Sequence, residues 1–212
     1  MGLIFGLPHR GARAAAESVR MRYEGQDSYE ITVAGLRRRL PIVKITDSLW
    51  IAAFVLWGDV ELTNACARLL ADRLRPLAFD CIVSVEAKAL PLAHMVATYL
   101  SDERAGRYFP YAVCRKSVKG YMKDALTVQV KSITTAAAQI LVLDGADAKR
   151  VRDRRVAVVD DVVSTGGSLR AVDELLERVN AHVVARAAVL LEEGGYRDPN
   201  LIHLGTLPIF TK

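Results

Sequence analysis

The chain has 212 residues, of which 51% are hydrophobic, and a formal net charge of +5. This length allows one α/β domain with a buried core, and no apolar run reaches the length of a membrane-spanning helix. The apolar residues 1–7 lack a preceding basic region and a clear cleavage site, so no signal peptide is predicted, and three cysteines without metal or redox spacing predict a reducing, cytoplasmic setting.

Apolar periodicity divides the chain into an arm and a main domain. Residues 1–26 are expected to form an N-terminal arm, mobile or helical, and residues 27–212 the main domain. A hairpin is predicted at 29–43 around Ala34 and Gly35. Helices are predicted at 61–74, 90–100 and 169–179, and further strands at 81–85, 111–114, 139–143, 156–159 and 182–191. Short apolar strands that alternate with helices predict an α/β fold with a mostly parallel, twisted sheet flanked by helices.

Two adjacent carboxylates, Asp160 and Asp161, follow the strand at 156–159 and precede a loop of small polar residues. Backbone N–H groups in such a loop, together with the dipole of the next helix, form an anion site. The carboxylates suit ribose hydroxyls or a hard cation such as Mg²⁺. The alternative is an ordinary turn in which Thr165 or Ser168 caps the helix, but that alternative gives the carboxylates no role.

Charged residues also follow two other predicted strands. Glu86 and Lys88 come after one strand, and Arg115 and Lys116 come after the next. Ligands of open parallel sheets collect beyond the carboxyl ends of the strands. We therefore expect these residues and the paired carboxylates to converge on one cleft.

The segment VAVVDDVVSTGGSL at 156–169 resembles the signature of type I phosphoribosyltransferases that binds 5-phosphoribosyl 1-pyrophosphate (PRPP). In that signature two acidic residues precede a Thr-Gly-Gly-Ser/Thr loop. The segment EAKA at 86–89 is similar to the pyrophosphate loop of the adenine-type enzymes, and RKSVK at 115–119 to their basic segment. The resemblance covers roughly residues 31–210. It implies the type I phosphoribosyltransferase fold, with a small hood from about 28–50 and 196–212.

The resemblance also implies an enzyme of purine salvage. It would transfer the phosphoribosyl group of PRPP to a purine base, adenine-like, and release pyrophosphate, with Mg²⁺ as cofactor. The implied ligands of the 5′-phosphate and ribose are Asp160, Asp161, Val162, Val163, Ser164, Thr165, Gly166, Gly167 and Ser168. The implied pyrophosphate ligands are Glu86, Ala87, Lys88, Arg115, Lys116 and Lys119. Asp160, Asp161, Lys88 and Lys131 are the implied catalytic residues, and the two aspartates would also hold the metal, indirectly.

One segment departs from the family pattern. Residues 127–139 resemble the flexible loop that closes over the substrates, but the adenine-type enzymes carry a glutamate there and this chain has none at 132–135. The alternative is therefore a PRPP-binding regulatory protein without turnover. Tyr196 and Phe210 are candidates for stacking on the base. We expect a homodimer, and no membrane or nucleic-acid partner.

Overall fold

The computed structural model describes residues 20–130 and 139–212. These residues form two β-sheets and four α-helices. The strands are β1 (Met21–Arg22), β2 (Ser28–Val33), β3 (Leu36–Thr46), β4 (Leu49–Ala52), β5 (Cys81–Val85), β6 (Tyr111–Arg115), β7 (Leu126–Val130), β8 (Gln139–Leu143), β9 (Arg155–Val163), β10 (His182–Glu192), β11 (Leu201–Leu207) and β12 (Ile209–Thr211). The helices are α1 (Val60–Leu74), α2 (Leu90–Leu100), α3 (Gly145–Val151) and α4 (Gly167–Glu177).

The larger sheet has seven strands in the order β11-β10-β9-β5-β6-β8-β7. The pairs from β11 to β6 are parallel, and β8 runs antiparallel to both β6 and β7. The prediction of a mostly parallel sheet is confirmed.

Both faces of this sheet are covered by helices. Along β5, Ile82 packs with α1 and α2 in one apolar core, whereas Val83 packs with α3 and α4 in a second. Along β9, Val159 packs in the first of these cores and Val158 in the second. Side chains alternate across a strand, so burial on both faces accounts for the continuous apolar runs in the sequence.

Strand β9 is longer than the sequence predicted. The prediction ended the strand at Val159, but β9 continues to Val163 because β10 lies beside it, with Leu190 opposite Val162 and Leu191 opposite Val163. Asp160 and Asp161 therefore lie on the strand itself, where backbone pairing fixes their positions.

The smaller sheet has five strands in the order β1-β12-β4-β3-β2. It contains the predicted hairpin of β2 and β3. It also contains β1, from the predicted arm, where Tyr23 stacks on Trp50 with ring centroids 4.2 Å apart. Arg38 joins the hairpin to the start of α1 through ion pairs with Asp59 (2.6 Å) and Glu61 (2.8 Å).

The segment 196–212, predicted for the hood, divides between the two sheets. β11 pairs with β10 in the larger sheet, where Leu201 and Leu207 are buried, and β12 alone joins the smaller one. In the described ranges 20–130 and 139–212, no helix is long and apolar enough to cross a bilayer.

Candidate active site

The charged residues at or just beyond the carboxyl ends of β5, β6 and β9 meet at one edge of the larger sheet. These three strands are parallel neighbours, so their carboxyl ends lie side by side. The Lys88 Nζ, beyond β5, is 3.7 Å from the Asp161 Oδ2 on β9. The Glu86 carboxylate accepts hydrogen bonds from the Arg115 Nε and from the Lys116 backbone N–H. The expected convergence of the three strand ends is confirmed.

The loop between β9 and α4, residues 164–168, is called the Ser-Gly loop below. Its Gly166 is the N-cap residue of α4 and has a φ of +76°, in the left-handed region that favours glycine. Among the described residues, no side chain caps this helix end. Thr165 and Ser168 are therefore not caps, and the alternative of an ordinary capped turn is wrong. N–H groups at the start of a helix that lack a capping side chain are suited to an anion.

A cavity of about 150 Å³ opens over the Ser-Gly loop. It is lined by the loop itself, by Asp160, Val162 and Val163 at the end of β9, and by Leu169. Val130 and Gln139 line another side. Lys131, predicted to reach the pyrophosphate, lies outside the described residues.

The two carboxylates differ in environment. Asp161 is 6% exposed, and its Oδ2 has no hydrogen-bond partner in the described part of the chain. Its backbone N–H donates to the Asp160 Oδ1 at 2.9 Å. Burial, followed by the neighbouring charge of Asp161, raises the pKa of Asp160 well above its usual value. A buried carboxylate oxygen without a partner favours a ligand that brings hydroxyl donors or positive charge.

Glu86 joins the segment after β5 to the basic segment after β6. The peptide bond between Glu86 and Ala87 is cis. Burial raises the pKa of Glu86, but hydrogen bonds from the Lys116 N–H and from Arg115 outweigh burial and hold that pKa below its usual value. Both oxygens of the carboxylate are engaged, so Glu86 orients the Arg115 guanidinium and the backbone at Lys116. The Arg115 Nη1 also donates to the Tyr121 hydroxyl at 2.6 Å.

The other predicted pyrophosphate residues lie around this junction. Ala87, Lys88 and Lys116 are exposed, and Lys119 is half-buried. The charge of Lys116 partly opposes the rise in the pKa of Asp160, and that of Lys119 contributes to lowering the pKa of Glu86. These cationic groups therefore act on the same cleft.

The sequence interpretation missed residues on two sides of the site. Trp57 is 56% exposed, and its indole N–H donates to the Ala87 carbonyl at 3.4 Å. Behind the Ser-Gly loop, the Glu192 carboxylate accepts a hydrogen bond from the Ser164 hydroxyl. The sequence signal for this second contact is the Glu-Glu-Gly-Gly-Tyr run at 192–196, which begins with the last residue of β10.

The two aromatic residues considered for base stacking are engaged elsewhere. Phe210 is fully buried beneath the smaller sheet, edge-on to Tyr29 at 5.7 Å between ring centroids. The Tyr196 ring packs against Gly166. Burial excludes Phe210 as a stacking residue, and the structure places Tyr196 against the Ser-Gly loop.

Known proteins share this sequence pattern. The phosphoribosyl transferase domain matches residues 60–204. An adenine phosphoribosyltransferase from Cupriavidus taiwanensis is 47% identical over 158 residues, which cover 74% of this chain and 75% of that protein. A hypoxanthine/guanine phosphoribosyltransferase from Methanothrix soehngenii is 31% identical over 140 residues, or 62% of this chain and 67% of that protein.

Two further matches differ in kind. The purine biosynthesis transcriptional repressor PurR of Bacillus subtilis is 25% identical over 138 residues, which are 65% of this chain but only 45% of the repressor. The crystal structure of an adenine phosphoribosyltransferase from Rhodothermus marinus is 18% identical, with a TM-score of 0.58, and the match covers 85% of this chain and 94% of that one. The structural match shows the type I phosphoribosyltransferase fold. Because the domain match extends over well more than half of the residues, the chain belongs to the phosphoribosyl transferase family.

Proposed function

We propose that this protein transfers the 5-phosphoribosyl group of PRPP to a purine base, with release of pyrophosphate. The observation that carries the proposal is one cleft with three features. The start of α4 carries no side-chain cap in the described structure, the adjacent aspartates lie on β9, and Lys88 lies 3.7 Å from one of them. An anion site beside a carboxylate pair and a cation matches a ligand with a phosphate, a sugar diol and a second anionic group.

The phosphate and ribose of PRPP are assigned to the β9 side of the cleft. The 5′-phosphate would accept hydrogen bonds from backbone N–H groups of the Ser-Gly loop and from the first turn of α4, whose dipole favours negative charge. The ribose hydroxyls would donate to Asp160 and Asp161. The Asp161 Oδ2, which is buried without a hydrogen-bond partner among the described residues, supports this assignment.

The pyrophosphate is assigned to the strand ends of β5 and β6. Lys88, Arg115 and Lys116 supply positive charge there, and Glu86 holds the Arg115 guanidinium and the Lys116 backbone N–H. In the reaction a base nitrogen forms a bond to C1 of the ribose while the bond from C1 to pyrophosphate breaks. Negative charge grows on the leaving oxygens, where these cations stabilise it. The protein needs no covalent nucleophile, since it positions both reactants.

Magnesium fits the residues present. No cluster of three or more metal-ligating side chains occurs in the described ranges. The carboxylates of Asp160 and Asp161 suit a hard cation that takes its remaining oxygen ligands from the substrate and water. Bound Mg²⁺ would neutralise part of the charge on the leaving pyrophosphate.

An adenine-like base is proposed on the similarity to the Cupriavidus enzyme. A homodimer is proposed on the exposed apolar residues beside the site, namely Val55 at 45%, Trp57 at 56% and Val60 at 69% exposure. Light scattering in line with gel filtration tests the dimer, and a monomeric mass contradicts it. A cytoplasmic location remains a prediction.

The second candidate function is a PRPP-binding regulator without turnover. The similarity to the PurR repressor and the lack of an acidic residue at 132–135 favour it. Such a protein would bind PRPP but release no pyrophosphate. If it acts on DNA, its affinity for DNA would fall steeply with salt.

The test is a panel of adenine, hypoxanthine, guanine, xanthine, uracil and orotate, each with PRPP and Mg²⁺, followed by pyrophosphate release. We expect release with a purine. No release with any base, despite measurable PRPP binding, would replace the proposed enzyme by the regulator. Absence of PRPP binding would remove both.

A further inference from the structure

The Ser-Gly loop rests on a second segment, residues 192–198, which is called the strap below. The strap begins at Glu192, whose carboxylate accepts a hydrogen bond from the Ser164 hydroxyl. Three residues later a Cβ on Gly195 would overlap the Ser164 carbonyl oxygen and lie 2.8 Å from its carbonyl carbon. The Tyr196 N–H then donates to the same Ser164 oxygen at 2.7 Å. The strap is therefore fixed to the first residue of the Ser-Gly loop through both backbone and side chain.

The Tyr196 ring extends this contact to the middle of the loop. A Cβ on Gly166 would lie 3.0 Å or less from three atoms of the ring, so the ring occupies the space that a side chain at Gly166 would need. Gly166 is the N-cap residue of α4, and its backbone directs the first N–H groups of that helix. Close packing leaves the cap residue little room to move. The position of Tyr196 therefore sets the position of the helix start.

The far end of the Tyr196 ring is tied to the same helix. Its hydroxyl donates to the Asp198 Oδ2 at 3.3 Å, and the Arg186 Nη1 lies 3.9 Å from that oxygen. The Arg186 Nη2 donates to the Asp173 Oδ1 on α4 at 2.9 Å. Contacts thus run from the loop through Tyr196 and back to α4. None of these side chains lines the cavity over the Ser-Gly loop.

We propose that Tyr196 is a positioning residue for the 5′-phosphate, acting through Gly166 to hold the Ser-Gly loop and the start of α4 in the geometry that accepts a phosphate monoester. The proposal rests on the proposed function, which assigns the 5′-phosphate to this loop. A misplacement of about 1 Å in such a site costs on the order of tenfold to hundredfold in affinity or rate. Tyr196 contacts the loop, whereas the pyrophosphate residues lie on β5 and β6. Its removal should therefore weaken the phosphate end of the ligand alone.

The experiment measures the affinities of three ligands by titration calorimetry: PRPP, ribose 5-phosphate and Mg²⁺-pyrophosphate. For Tyr196→Ala we expect the Kd of PRPP and of ribose 5-phosphate to rise by about tenfold or more, with the Kd of pyrophosphate changed by less than about twofold. Tyr196→Phe keeps the ring on Gly166 and should restore both affinities. Tyr108→Ala removes a tyrosine that is 74% exposed and is the matched control.

Each outcome decides the proposal. Unchanged ribose 5-phosphate affinity in Tyr196→Ala overturns it. An equal loss of affinity for pyrophosphate also overturns the proposal, because that result indicates a general structural role. If Tyr196→Ala does not fold, Gly195→Ala displaces the same strap contact and should show the same selective loss. If the wild-type protein binds neither PRPP nor ribose 5-phosphate, the proposed function has failed first, and the role of Tyr196 falls with it.

Discussion

Replacement of Asp161 by Asn tests the assignment of the ribose. The change removes the negative charge that lies 3.7 Å from Lys88, and keeps the size of the side chain. A hydrogen bond from a ribose hydroxyl to a charged acceptor contributes about 1.5 to 3 kcal/mol, or roughly tenfold to 150-fold in affinity. We therefore expect the Kd of PRPP to rise by about one to two orders of magnitude.

The stability of this variant should not follow its affinity. Asp161 is buried beside Asp160, so an uncharged amide removes repulsion within the pair, and the ion pair that it also removes, with the half-exposed Lys88 at 3.7 Å, contributes little to stability. We expect the thermal midpoint of Asp161→Asn to equal or exceed that of the wild type. Binding is measured by calorimetry and stability by scanning calorimetry.

The matched control is Asp47→Asn, since the Asp47 side chain is 98% exposed and pairs with Lys44 at the surface. This control should change neither the Kd of PRPP nor the thermal midpoint. Wild-type PRPP affinity in Asp161→Asn would refute the placement of the ribose. A large loss of stability would refute the view that the carboxylate is kept for binding.

Three further outcomes follow from the same contacts. Because the pKa of Asp160 is raised, the folded protein holds a proton that the unfolded chain has lost at the same pH. The free energy of unfolding should therefore fall as pH rises from the ordinary aspartate pKa through the raised one. Asp160→Asn should abolish that fall, measured by urea titrations. The pKa of Glu86 is lowered, so its effect on stability has the opposite sign: the stability that the ionised carboxylate contributes should be lost as pH drops through the pKa of the folded state. Glu86→Gln should not show that loss. The control Glu30→Gln, at an exposed position, should still show it. Phe210→Ala should cost about 3 to 5 kcal/mol of unfolding free energy in the same titrations, because the ring is fully buried; a cost below about 1 kcal/mol would contradict its place in the core.

Much of the fold could be predicted because its signals are local. Continuous apolar runs such as Cys81–Val85 predicted strands buried on both faces, and the pairing of β5, β6 and β9 then brought charged residues from distant parts of the chain together. The residue at which β9 ends is not determined by the local sequence. Nothing in the sequence of Asp160 and Asp161 states that β10 pairs beside them, and that pairing extends the strand.

The residues behind the site were not predictable for the same reason. Glu192 and Tyr196 contact the Ser-Gly loop only because β10 ends next to β9. Likewise, Glu86 was read as part of a pyrophosphate loop, whereas its carboxylate is engaged by Arg115 and Lys116 from the neighbouring strand. Pattern and spacing identify the type of site, and tertiary pairing decides which group each side chain meets.

In the proposed function, this cleft transfers a phosphoribosyl group. The most direct measurement incubates the protein with PRPP, Mg²⁺ and adenine, and follows the phosphorus signals of PRPP, pyrophosphate and the product by ³¹P NMR. We expect PRPP to disappear while pyrophosphate and a nucleoside monophosphate accumulate in equal amounts, and Asp161→Asn to slow both changes at limiting PRPP. Persistence of PRPP with adenine and with every other purine, at concentrations that saturate binding, would rule out phosphoribosyl transfer by this cleft.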